Sequence, residues 1–293
     1  MADTTLAREA PRPSGPDTPQ IDLDEIRRMR RRRAERIGAW ALPVVVVALT
    51  IGAWEMVVRV NEIPHYILPG PGRVAATLAE DWPILFDALL VTLKVTGLAL
   101  ATAIVAGVGL AILFSLSKWI EMSLFPYAVI LQVTPVVAIA PLILIYIDSK
   151  IVALVVCAWI VAFFPVLSNT TLGLNSADHN LRDLFRIYGA TKWQTLRHLQ
   201  IPAAMPYFLA GLKIAGGLSL IGAIVAEYVA GTAGTGAGLA FRILEAGYRL
   251  NIPRMFAALL LIALTGVLIF AVTSLIQHLM LRKWHESAVR RER

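Results

Sequence analysis

The sequence is short of charge and of cysteine. Only 16% of its 293 residues are Asp, Glu, Lys or Arg, against 57% that are hydrophobic, and the mean hydropathy is +0.68. Soluble domains carry about 25% charged residues, so water is excluded as the solvent for most of this chain. Its one cysteine, Cys157, lies in an apolar run. A lone cysteine excludes an intrachain disulfide, a thiolate cluster and a redox pair, and reads as a small buried hydrophobe. No G-x-x-x-x-G-K-[ST] occurs, so the chain has no phosphate-cradling loop of its own. Neither H-E-x-x-H nor G-x-S-x-G is present, and the five histidines fall without ligand spacing, which leaves an intramembrane enzyme without support. Acidic residues number 20 against 27 basic ones. The basic residues are not interleaved with aromatics; they gather at the chain ends and in one internal loop, a membrane-topology pattern rather than a nucleic-acid surface.

Long apolar runs are what the chain has in plenty. Crossing a hydrocarbon core of about 30 Å at 1.5 Å per residue takes about 20 apolar residues. Six stretches approach that length, near 39–60, 88–116, 122–147, 151–168, 206–231 and 256–281. The expected fold is all-α, a polytopic membrane protein of about six transmembrane helices. Residues 1–36 form a basic cytoplasmic tail in which 21–36 reads either as a short helix on an anionic lipid surface or as a solvated tail. Residues 37–285 form the membrane domain and 286–293 a second tail. Spans three and four are joined only by Asp148, Ser149 and Lys150, a tight hairpin. Pro126, Pro135 and Pro141 predict a kinked or broken third span, which is tolerable only against protein or water and so points to a translocation path. Gln132 and Thr134 are the polar candidates there.

Positive charge marks the cytoplasmic side of short loops, so the block Arg27, Arg28, Arg30, Arg31, Arg32, Arg33 and Arg36 places the N-terminus inside. Alternation then brings Lys118, the loop bearing Arg182, Arg186, Lys192 and Arg197, and the C-terminal tail to the same side. Small residues recur every fourth position at Ala99, Ala103, Gly107 and Ala111, and again at Gly211, Ala215, Ser219 and Ala223, stripes that pack helices within one chain or between subunits. A carboxylate in a span is costly and therefore a functional candidate. Glu227, followed by Tyr228 and a glycine run through Gly231, Gly234, Gly236 and Gly238, either lines the path or anchors a helix end.

The cytoplasmic loop at about 169–205 is the most informative. Leu181, Leu184, Phe185 and Tyr188 recur at helical spacing, Gly189 stops that helix, Thr191 caps a second, and Pro202 closes it. The result is a helix-turn-helix with apolar knobs, covered either by a partner protein or by its own bundle.

Gly189, then nine residues, then Leu199-x-Ile201-Pro202 with Ala203, Ala204 and Pro206, resembles the EAA loop of permease subunits of ABC importers. Leu68-Pro69-Gly70-Pro71, Thr92-Leu93-Lys94, Ala226-Glu227 and Gly236-x-Gly238-Leu239 extend the resemblance over about 50–285. They point to the branch handling sulfonates, taurine, nitrate and pyrimidine-type vitamin precursors. Asp183, Leu184 and Phe185 stand where the family has Glu-Ala-Ala, so only the acidic first position is approximated. The resemblance implies a type I importer fold in a bacterial inner membrane, with both termini cytoplasmic. It also implies a coupling element of Asp183, Leu184, Phe185, Tyr188, Gly189, Ala190, Trp193, Leu199, Ile201 and Pro202 that seats on a separate ATPase. ATP and magnesium would belong to that ATPase, and the other partners would be a second permease copy and an extracytoplasmic binding protein. A secondary transporter, which usually shows repeated halves, and a membrane scaffold are the competing readings.

Overall fold

The structure, a computed structural model, describes residues 23–231 and 236–282. The tail up to residue 22, Gly234 and the tail at 286–293 lie outside the described residues. The described chain is helical: α1 Leu23–Val60, α2 Pro71–Glu80, α3 Trp82–Leu116, α4 Lys118–Val133, α5 Val136–Tyr146, α6 Lys150–Asn175, α7 His179–Ile187, α8 Lys192–Thr195, a π turn Leu196–Gln200, α9 Ile201–Ala230, α10 Leu239–Tyr248 and α11 Ile252–Leu281. The described residues fall into two compact units, divided after Val57. In the first, α1 starts at Leu23 and runs unbroken into the first apolar stretch, so 23–36 is the beginning of a long helix rather than a short separate one.

The second unit is built around α6, which packs between α3 and α9. Lipid removes the usual driving force for helix association, so close backbone approach has to supply the contact. Glycine supplies it: a Cβ on Gly107 of α3 would come within 2.9 Å of Val166, one on Gly211 within 2.7 Å of the Pro165 carbonyl, and one on Gly222 within 2.8 Å of the Ala158 Cα. Ala99, Ala103, Ala111, Ala215, Ser219 and Ala223 of the same stripes are buried. The stripes thus join helices of one chain. Cys157 is fully buried among them, the small hydrophobe expected.

Among the described residues, five helices are long and apolar enough to cross a membrane, or six if the bent pair α4–α5 counts as one span. The helices overrun the apolar windows because polar residues extend them at little cost. Asp87 lies inside α3, and Asn169 inside α6 donates its side-chain amide to the Pro165 carbonyl at 2.8 Å. α4 and α5 meet at 101°. Of the three prolines only Pro135 makes the break; Pro126 and Pro141 sit within α4 and α5. Thr134 and Pro135 are both extended, with ψ of 123° and 111°. A residue before proline is pushed out of the helical region, and here that residue is the β-branched Thr134.

Pro202 does not close a second short helix. It stands in the first turn of α9, and the run Lys192–Ala230 is one continuous helix interrupted only by the π turn. There the Ile201 N–H donates to the Leu196 carbonyl, five residues back. A proline ring crowds the carbonyl four residues before it, and the one-residue offset of the ladder lets the helix pass through.

Candidate functional site: an exposed helix pair and a cleft at the broken span

The α7–α8 pair forms for local reasons. Asp178 caps α7, its carboxylate accepting from the Asn180 N–H at 2.7 Å. At the other end Gly189 has φ +67°, the Gly189 N–H donates to the Arg186 carbonyl and the Ala190 N–H to the Phe185 carbonyl at 2.9 Å. These two bonds are a Schellman ending, which needs a left-handed residue at that position. Nothing lies within 4 Å of where a Gly189 Cβ would be, so conformation alone selects glycine. Thr191 then caps α8 in a reciprocal box with Gln194.

The pair is tied to the bundle at its base. Arg182 donates to the Leu174 carbonyl at 2.7 Å, and Gln200 donates to the same oxygen at 3.1 Å. Lys192 donates to the Leu116 carbonyl at the end of α3, 3.3 Å away. The bundle does not cover the apolar tips. Tyr188 is 82% and Ile187 81% exposed, and Leu184 and Trp193 are exposed as well. Between α7 and α8 is a hollow of about 580 Å³ lined by Leu184, Phe185, Tyr188, Gly189, Ala190 and Gln194, with His198 at its edge. Five of the expected coupling residues therefore meet around one concavity. Asp183 is exposed beside it, while Leu199, Ile201 and Pro202 are half-buried in the stem that leads into α9.

The break in the third span opens on a second hollow of about 350 Å³. Gln132 and Thr134 supply its polar groups; Val136 and Val137 of α5, Ile160 of α6 and Leu218 of α9 are among its apolar walls. The Thr134 hydroxyl donates to the Ile130 carbonyl at 2.6 Å, which leaves its oxygen lone pairs for the hollow. Glu227 and Tyr228 are not part of this wall. Glu227 is 1% exposed. One of its oxygens accepts from the Thr92 hydroxyl and from the Ala240 N–H, both at 3.1 Å. A carboxylate at the end of a span is costly without donors; protein supplies two to Oε2, while Oε1 is buried and meets none among the described residues. Tyr228 is exposed.

Two features escaped sequence reasoning. Arg254 binds Asp81 through two N–H groups, at 2.6 and 2.8 Å, and nothing in the sequence couples positions so far apart. Lys213, inside α9, places its ammonium 4.0 Å from the centre of the Phe270 ring. A cation in an apolar run was the available signal.

Residues 103–285 match the model of the family described as binding-protein-dependent transport system inner membrane component. The formylaminopyrimidine transport permease protein of Halalkalibacterium halodurans is 31% identical over 82% of this chain and 94% of its own length. The riboflavin transport system permease protein of Chloroflexus aurantiacus is 32% identical over 85% and 91%. Among solved structures, the crystal structure of an amino acid ABC transporter with histidines aligns with a TM-score of 0.56 at 22% identity, over 69% of this chain and 97% of that one. That likeness establishes the shared fold.

Proposed function

The chain belongs to the family of binding-protein-dependent transport system inner membrane components, the membrane-spanning permeases of ABC importers, and from that membership we propose that its α7–α8 pair is the surface on which a separate ATPase acts. The observation that carries this reading is the exposed apolar hollow around Gly189, presented by a rigid pair tied to α3 and α6 at its base. An apolar cytoplasmic knob fits into a groove on a partner, and α9 delivers its displacement into the membrane without an intervening loop. ATP and magnesium bind the ATPase, two permease copies surround the path, and an extracytoplasmic protein delivers the solute. The N-terminus is cytoplasmic by the arginine block.

The solute we propose is an uncharged or weakly charged nitrogen heterocycle of the vitamin-precursor type. The names of the two relatives support it. So does the hollow at the broken span, whose wall offers an amide and a hydroxyl and no cation to hold a sulfonate or nitrate. Uptake competition between labelled formylaminopyrimidine and excess nitrate or taurine tests this choice; competition by the anions sinks it.

The coupling reading is tested at Gly189 and Tyr188. Gly189→Val forces a β-branched residue into a left-handed conformation, whereas Gly189→Asn tolerates it. Gly189→Val and Tyr188→Asp should each lower ATPase co-purification, or coupled uptake, about tenfold, while the permease remains inserted; this corresponds to losing one central contact of an interface. Gly189→Asn should stay near wild type. Normal ATPase binding, hydrolysis and uptake in both damaging variants would remove α7–α8 from the transmission route.

A further inference from the structure

The polar cluster at the outer end of α9 joins three helices through one carboxylate. Thr92 of α3 donates to Glu227 of α9, the Leu239 N–H at the start of α10 donates back to the Thr92 hydroxyl oxygen at 2.9 Å, and the next N–H, that of Ala240, donates to Glu227. Both side chains are fully buried. The first N–H groups of a helix have no partner within it, and here two of those of α10 are satisfied from α3 and α9. Gly238 completes the fit. Its φ of −85° and ψ of −178° are open to any residue, so conformation does not demand glycine, yet a Cβ there would overlap the Glu227 carboxylate.

We infer that Glu227 and Thr92 are positioning residues that clamp the first turn of α10 onto α3 and α9, so that the outer end of the bundle follows α9 when its cytoplasmic end is moved. Four observations converge on this: the enclosed carboxylate, the bridging hydroxyl, the two amides and the space kept empty at Gly238. Continuity of the helix from Lys192 to Ala230 places the clamp at the far end of the element that carries α8. The clamp rests on geometry alone, while its consequence for transport rests on the coupling reading above, and two separate readouts keep them apart.

The first readout is amide hydrogen exchange over Leu239–Tyr248 in the full-length permease with its ATPase in lipid nanodiscs. Glu227→Ala and Thr92→Val should speed exchange of the first-turn amides about tenfold, the scale of losing one buried hydrogen bond. Thr92→Ser and Glu227→Gln, which keep an oxygen in place, should stay within about threefold of wild type on the same scale. The second readout is uptake. Gly238→Ala should reduce it about tenfold in the wild-type background and less than about twofold when added to Glu227→Ala, because the steric conflict exists only with the carboxylate present. Unchanged exchange in Glu227→Ala, or a Gly238→Ala effect of equal size in both backgrounds, overturns the clamp. Loss of uptake in Glu227→Gln with normal exchange overturns it in favour of a path-lining acid. Altered exchange with full uptake overturns the role in transport and leaves the coupling reading to its own test.

Discussion

Arg254 meets Asp81 with a planar fork of two parallel bonds, and both side chains are under one-fifth exposed. Such a pair is stronger than a surface ion pair, because water competes less and the guanidinium geometry matches the carboxylate. It ties the junction of α2 and α3 to the first turn of α11. Arg254→Ala should cost about 1–3 kcal/mol, since an Asp81 left unpaired keeps its desolvation penalty. Arg254→Lys should recover less than half of that loss. Thermal unfolding in nanodiscs, followed by tryptophan emission, measures both, and an Arg254→Ala protein as stable as wild type would refute the assignment. Residues of this kind are where the sequence is least legible. Gly189 could be read as a helix stop because its role is local, a φ that neighbouring residues already frame. Glu227 was half legible: its cost in a span was visible, but its donors come from positions 92 and 240, and only folding brings them together.

For helices, the decisive variable is whether a position faces another backbone. Gly222 and Gly217 are five residues apart in α9 and look interchangeable in sequence. A Cβ on Gly222 would press on Ala158, whereas one on Gly217 would meet nothing. Gly222→Val should therefore separate α6 from α9 and destabilise by about 1–3 kcal/mol, the usual range for overpacking. Gly217→Ala should be neutral or stabilising by up to about 1 kcal/mol through lower backbone entropy in the unfolded chain. The comparison is the fraction surviving heating as a monodisperse peak on size-exclusion chromatography; equal survival would contradict the packing described. The apolar stretches themselves were plain in the sequence, because length and composition suffice to mark a span. Their ends were not, since Asp87 and Asn169 terminate an apolar window without terminating a helix. Three prolines likewise looked equivalent, and the β-branched residue before Pro135 was the cue that separated it from Pro126 and Pro141.

At the scale of the molecule, charge asymmetry decides orientation and helix count decides the rest. Reporters active only in the cytoplasm should work when fused near Lys192 or after Arg293 and fail when fused at Tyr248. Cytoplasmic activity at Tyr248 would contradict the alternation of spans. The fold class was legible from composition, the family from the spacing around Gly189, and the join between α8 and α9 was not, because Pro202 mimics a terminator. That join also fixes an angle. A π turn carries one residue more than the α-helix it replaces, and each residue advances a helix by about 100°. The five residues Leu196–Gln200 therefore set the azimuth at which Trp193 and the rest of α8 are presented relative to the side of α9 that meets α6. The exposed face of α8 is clocked by a residue count, and the surplus residue in that turn is as much a part of its placement as any side chain it displays.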